Sequence, residues 1–281
     1  MKKIAPLIAT LLLATPASAH ETHADATYMA NEAVLVVQGD LKIMFDPFYQ
    51  SGFGTYPEVP DDMMKKVMAQ SAPFDGIDGI FVSHVHGDHF DGPQIYDYMQ
   101  INRDVHVFLP EQGANYIREL ARDDDQILKR LVSFKLTEGG APQKQMRGDI
   151  EADAVRIPHS GWPTGRRDIN NIVFRVTLND GVTVMHMGDA DINDQHYAPH
   201  EEHWRAKHTH QAFPPYWYFG NEEGRSILTQ RLKVGHATGI HVPIKLPRKL
   251  AVSDYDYFSK PGESRVIYLP EPTDDIGDIG Q

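Results

Sequence analysis

The sequence predicts an α/β chain folded as an αββα sandwich: two mixed β-sheets packed face to face, with helices outside. Three observations predict it. Hairpin signals occur in both halves, with Ala33 to Gln38 and Leu41 to Phe45 flanking Gly39-Asp40, and Asn171 to Leu178 and Val182 to Met187 flanking Asn179-Asp180-Gly181. Helical patterns are interleaved singly with short strands and not gathered at one end. No Pro-, Gly- or Ser-rich linker divides the chain, so residues 20–281 are expected to form one domain behind a leader at 1–19.

The elements follow in order. Lys2 and Lys3, the apolar run Ile4 to Ala14 and the small residues Ala17-Ser18-Ala19 read as a secretory leader cleaved after Ala19. The mature chain is therefore expected in a periplasm or outside the cell. The apolar run falls short of the ~20 residues that a bilayer span requires, and no later stretch is longer, so no stable membrane insertion is expected. Asp61 to Gln70 follows Pro60 as a helix, with Met63, Met64, Val67 and Met68 as a core stripe. Gly79 to Ser83 reads as a strand, Pro93 to Asn102 as a helix, Val105 to Leu109 as a strand and Glu111 to Arg122 as a helix. Ala152 to Ile157 is a strand, Glu222 to Lys233 an amphipathic helix and Thr238 to Val242 a buried strand, before an acidic tail from Thr273 to Gln281.

Composition narrows the chemistry. With 27 Lys+Arg against 39 Asp+Glu, the 281-residue chain carries a formal charge of −12. A surface that negative repels a polyphosphate backbone, so the expected partner is a small molecule and not a nucleic acid. The absence of cysteine excludes disulfides, thiolate nucleophiles, iron–sulfur clusters and sulfur-ligated zinc. The 15 histidines leave nitrogen and oxygen as the donors for any metal.

The informative segment is Ser83-His84-Val85-His86-Gly87-Asp88-His89-Phe90, directly after a strand. His84 and His86, two apart, can point to one side, and a turn at Gly87 brings Asp88 and His89 to the other. One loop can thus offer two imidazoles to one metal and a carboxylate with an imidazole to a second. This segment resembles the HxHxDH signature of the metallo-β-lactamase superfamily. Further markers follow in the family's order: Phe45-Asp46-Pro47, Pro158-His159-Ser160, Gly188-Asp189-Ala190 and Ile240-His241-Val242-Pro243. The local wording around His186-Met187-Gly188-Asp189-Ala190-Asp191 and Pro214-Pro215-Tyr216-Trp217 is similar to the ascorbate-6-phosphate lactonase-like and N-acylphosphatidylethanolamine phospholipase D-like branch.

The resemblance implies two divalent ions, Zn²⁺ first and Mn²⁺ or Fe²⁺ as alternatives. It assigns His84, His86 and His159 to one, Asp88, His89 and His241 to the other, and Asp189 as the bridge, with Asp46 buttressing the loop. Together with the leader, it implies an exported hydrolase whose two cations activate a shared water against an ester, lactone, amide or phosphodiester, with Asp88 and Asp189 orienting it, while the place of His186 three residues before Asp189 suits it to hydrogen-bonding behind the site. Two alternatives stand beside this: a periplasmic metal-binding or scavenging protein without turnover, prompted by the histidines, and a di-iron redox protein on the same fold, against which His86 argues. Substrate contacts are expected from Trp162 and Arg166 in the loop after His159, suited to an anionic group, and from His236. The group His196, His200, His203, His208 and His210 reads as polar surface, His20 and His23 as a disordered terminus, and Tyr216 to Phe219 as core packing or a pocket wall.

Overall fold

A computed structural model describes residues 23–179 and 181–269. The chain begins with β1 (His23–Ala30), β2 (Ala33–Gln38), β3 (Leu41–Phe45), α1 (Asp61–Met68), β4 (Gly79–Phe81), α2 (Gly92–Ile101), β5 (His106–Pro110), α3 (Glu111–Ala121), α4 (Asp125–Leu128) and β6 (Leu131–Phe134). It continues with β7 (Gln143–Arg147), β8 (Ile150–Arg156), β9 (Ile172–Leu178), β10 (Thr183–His186), α5 (Glu201–Arg205), β11 (Gln211–Phe213), α6 (Trp217–Gly220), α7 (Glu222–Ser226), β12 (His236–Ala237), α8 (Arg248–Ala251) and β13 (Ser264–Tyr268). The leader at 1–19, His20 and the tail from Thr273 lie outside the described residues. No helix among the described residues is long and apolar enough to cross a membrane.

Two sheets result, ordered β13-β1-β2-β3-β4-β5-β6 and β12-β11-β10-β9-β8-β7. Both are mixed: β3 to β6 run parallel and β10 to β12 run parallel, while the remaining neighbours are antiparallel. Strand alternation explains the layers. In β2, Val34 and Val36 face the other sheet while Leu35 faces the helices; in β9, Phe174 and Val176 point inward and Val173 outward. The inner seam is aromatic, with Phe45, Phe81, Phe108, Phe174 and Phe213 all fully buried. Each such side chain contributes roughly 1.5–3 kcal/mol by leaving water. The outer faces are covered by α1 to α3 on one side and by α5 to α8 on the other, giving the expected αββα order. The methionine stripe of α1 packs into that outer core, with Val67 buried.

Three expectations change. Thr238 to Val242 forms no continuous strand: the ladder covers His236–Ala237, after which Gly239 and Ile240 make only isolated bridges to Tyr257 and Pro215. The cause is the neighbouring Pro214-Pro215, which has no N–H to donate to a ladder. The helix from Glu222 loosens after Ser226 into a wider turn in which Leu232 N–H reaches the Ile227 carbonyl at 2.8 Å. His23 is not a disordered residue but opens β1, paired with Tyr268.

Candidate metal centre

The centre sits where β3, β4 and β10 end. Asp46, just past β3, is fully buried; its Oδ1 accepts the Ser83 backbone N–H at 2.7 Å, and Oδ2 faces His89 Nδ1 at 2.9 Å. Asp46 thus fixes the strand-to-loop turn and holds His89 as the tautomer whose Nε2 points inward. The loop is further tied down by Gln50 N–H, which donates to the Gly87 carbonyl at 2.7 Å.

Six imidazole and carboxylate groups close around Asp189. His84 Nε2 and His159 Nε2 each lie 3.0 Å from His86 Nδ1. His159 Nε2 lies 3.0 Å from Asp189 Oδ2, while His241 Nε2 and His89 Nε2 lie 3.4 and 3.5 Å from Asp189 Oδ1. Asp88 Oδ2 stands 3.9 Å from the same two nitrogens. Asp189 therefore turns one oxygen to each histidine group. Two sets of donors, His84-His86-His159-Asp189 and Asp88-His89-His241, are each compact enough to hold one cation.

The far sides of the rings are held as well. His159 Nδ1 donates to the Ser160 carbonyl at 2.7 Å, and His84 Nδ1 meets Ser83 Oγ at 3.0 Å. His241 Nδ1 donates to Asn31 Oδ1 at 2.7 Å, and Asn31 Nδ2 donates to the Asp88 carbonyl at 2.8 Å. The turn carrying Asp189 approaches β4 closely: a Cβ on Gly188, at φ +52°, would lie 2.5 Å from Asn171 Oδ1 and 2.6 Å from Ser83 Cβ. Only glycine fits there.

Electrostatics follow from burial. Desolvation holds His84 well below its usual range and brings His86 and His241 to about 4, so all three are neutral donors near pH 7. Burial also pulls on His89, but Asp189, the Asp46 hydrogen bond and Glu32 outweigh it and lift the ring to about 10. Burial would raise Asp189, yet His241, His89 and the His159 hydrogen bond win, so it is a carboxylate. Asp189 Oδ1 and His89 Nε2 are buried without a hydrogen-bond partner. An orphaned carboxylate oxygen facing converging imidazole nitrogens suits divalent cations, and the nitrogen–oxygen donor set suits zinc, manganese or iron.

A cavity of about 470 Å³ opens over these groups, walled by His86, Asp88, Asp189 and His241. Phe53, Thr55, Tyr56, Arg166 and Trp217 complete it. Tyr56 stacks on His241 with ring centres 3.8 Å apart, and Trp217 meets the same ring edge-on at 5.5 Å.

Of the expected substrate contacts, Arg166 reaches this cavity and the other two do not. Trp162 packs edge-on against His196, 4.6 Å between ring centres, because Gly161 at φ +97° turns the loop. His236 is exposed and pairs with Asp256 at 3.1 Å, on the edge strand β12 and away from the centre. His186 is fully buried behind the site, stacked on Phe45 at 4.8 Å, with Nε2 3.0 Å from the Glu32 carbonyl. Asn31, Glu32, Phe53 and Tyr56 also border the site, although no motif in the sequence marks them. The only cue was the polar pair Asn31-Glu32 between two apolar strands. The surface histidines assemble no donor group: among the described residues, no compact group of three or more donors includes one of them.

Residues 25–203 match the family model described as a beta-lactamase superfamily domain. The chain belongs to that superfamily. The chain is similar to a metal-dependent hydrolase of Pyrococcus furiosus, 29% identical over 161 residues, which are 56% of this chain and 58% of that protein. The chain thus matches somewhat over half the length of this relative. Among solved structures of the superfamily fold, a metallo hydrolase from Ignicoccus hospitalis superposes with a TM-score of 0.59 at 16% identity, covering 89% of this chain and all of the other. A metallo-beta-lactamase fold protein of Bacillus subtilis does so at 0.56 and 13% identity, covering 88% and all of the other.

Proposed function

We propose that this superfamily member is an exported metal-dependent hydrolase with two divalent ions, zinc in the first instance, acting on an ester, lactone or phosphodiester. The observation carrying it is Asp189, whose two oxygens face two separate donor groups, at 3.0 Å from His159 and at 3.4 and 3.5 Å from His241 and His89. His84, His86 and His159 would hold one ion, Asp88, His89 and His241 the other, and Asp189 both. Bound there, such ions make water nucleophilic near neutral pH and polarise the oxygen of the scissile group. The chain's own part is positioning. Asp88 and Asp189 line the cavity and accept hydrogen bonds from the attacking water, fixing its direction. Arg166 offers a guanidinium at the rim to an anionic substrate group. Tyr56 and Trp217 brace His241 and keep bulk water from its ring.

Purified protein should carry about two ions per chain and hydrolyse members of a chromogenic panel of esters, lactones and phosphodiesters, with activity lost to a chelator and restored by Zn²⁺ or Mn²⁺. A larger, freely exchanging metal load with no turnover on any panel member would establish the scavenging reading instead. Sequencing the N-terminus of native material should find His20; a retained Met1 would refute export.

A further inference from the structure

Beside the metal cavity lies a second one of about 580 Å³, and Trp217 lines both. The half-buried indole, edge-on to His241, is the side chain that the two cavities share. The second cavity is apolar, walled by Ile192, Phe219, Leu250 and Tyr255. Its charged groups are Arg225, Arg248 and Lys249, and among the described residues no Asp or Glu lines it. On a chain of formal charge −12, a concavity whose charged walls are all cationic departs sharply from the average field. Arg225 Nη1 is already engaged by the Phe219 carbonyl at 2.7 Å, whereas Arg248 and Lys249 stand exposed on α8, which Leu250 anchors to the core.

We propose that this second cavity binds the apolar limb of an anionic substrate whose hydrolysable bond reaches the metal cavity past Trp217. The proposal rests on the hydrolase reading above and narrows its substrate class. The ligand is a carboxylate on an aliphatic or aromatic body. Apolar walls give a polyol few hydrogen bonds, and the cationic rim selects an acid over its neutral analogue. The volume falls in the range of small-molecule sites, about 300–1,000 Å³.

The test reads binding and not turnover. Metal-stripped, full-length protein is titrated with decanoate, following tryptophan emission and displacement of anilinonaphthalene sulfonate. Decanoate should bind, and decanol should bind at least ~10-fold more weakly. The charge-reversing pair Arg248→Glu and Lys249→Glu should cost a similar factor. Gly220 lines the cavity and a Cβ there meets nothing within 4 Å, so Gly220→Trp should fill the space and abolish probe binding without altering metal content on reloading. Absent decanoate binding, equal affinity for decanol, or affinity untouched by both variants would overturn the proposal. Decanoate binding here, together with no turnover of the chromogenic panel by the metal-loaded protein, would sink the hydrolase reading alone.

Discussion

Asn31 Oδ1 lies 2.7 Å from His241 Nδ1, although 210 positions separate them. This amide fixes the tautomer of His241, and its other end donates to the Asp88 carbonyl, so one side chain aligns two donors of the same group. Residues of this kind tune ligand orientation by holding the ring nitrogen that the metal does not use.

Asn31→Ala should therefore weaken binding of one ion by ~10–100-fold, while Asn31→Asp, which keeps the acceptor for His241 Nδ1 and tolerates the φ of +50° but loses the donor to the Asp88 carbonyl, should weaken it less. Calorimetric titration of stripped protein with Zn²⁺ distinguishes the two. Equal weakening in both variants would mean that the amide acts only through fold stability.

Asp189→Asn keeps the shape but removes the charge that faces both donor groups. Metal analysis should show about one tightly held ion per chain, with turnover reduced at least ~10²-fold. His86→Ala should also lower metal content, since no cysteine exists to substitute. His200→Ala or His203→Ala should leave metal content intact; a reversed pattern would contradict the assignment.

His89 gives the metal-free protein a pH signature. Its ring is lifted from 6.5 to about 10 in the folded state, so the stabilisation is complete below pH 6.5 and fades as pH rises through about 10. Melting temperature in chelator should fall across that window. Loading Zn²⁺ should flatten the slope, because the cation replaces the proton on Nε2 and loading releases protons. A flat profile in chelator would show that His89 is neutral.

Asp256 gives the opposite sign at acid pH. Arg265, Thr238 and His236 overcome its desolvation and hold it at about 2 against 3.8 unfolded, so its stabilisation is present above pH 3.8 and lost as pH falls through about 2. Asp256→Asn should cost roughly 1 kcal/mol at pH 7 by denaturant titration, after allowance for solvent screening, and almost nothing near pH 2. An equal cost at both pH values would assign the loss to packing.

Gly188→Ala should destabilise the fold by ~1–3 kcal/mol and lower metal content with it, since φ is +52° and Asn171 Oδ1 occupies the space a methyl group needs. Unchanged melting and metal load would contradict the close approach.

Much of this was legible because short-range patterns carry it. The hairpin Ala33–Gln38 with Leu41–Phe45 has its turn written in Gly39-Asp40, and its strands fall where the alternation places them. The seven donors were legible from one dense loop and its ordered echoes. What stayed hidden depends on partners distant in sequence. Strand β7, Gln-Lys-Gln-Met-Arg, lies at a sheet edge with one face in water, so it carries no apolar alternation to find. Strand β13 exists by pairing with β1 from the other end of the chain. Tyr56 is an ordinary loop residue until the chain returns with His241 beneath its ring. Conversely, Thr238 to Val242 has the apolar character of a strand, but its neighbour's two prolines deny it a ladder.

The wide sequence separation of Asn31 and His241 also orders events in time. The Asp88-His89-His241 group is complete, and its support from Asn31 made, only when a residue near the start of the fold meets one near its end. Contacts of such separation close late, since the loop entropy must be met before they form. A nascent chain therefore presents the His84-His86-Asp88-His89 loop long before it can offer the enclosing set. Firm metal capture would then report that the two ends of the fold have met, and a fragment ending before His241, which also lacks β13, would hold metal loosely.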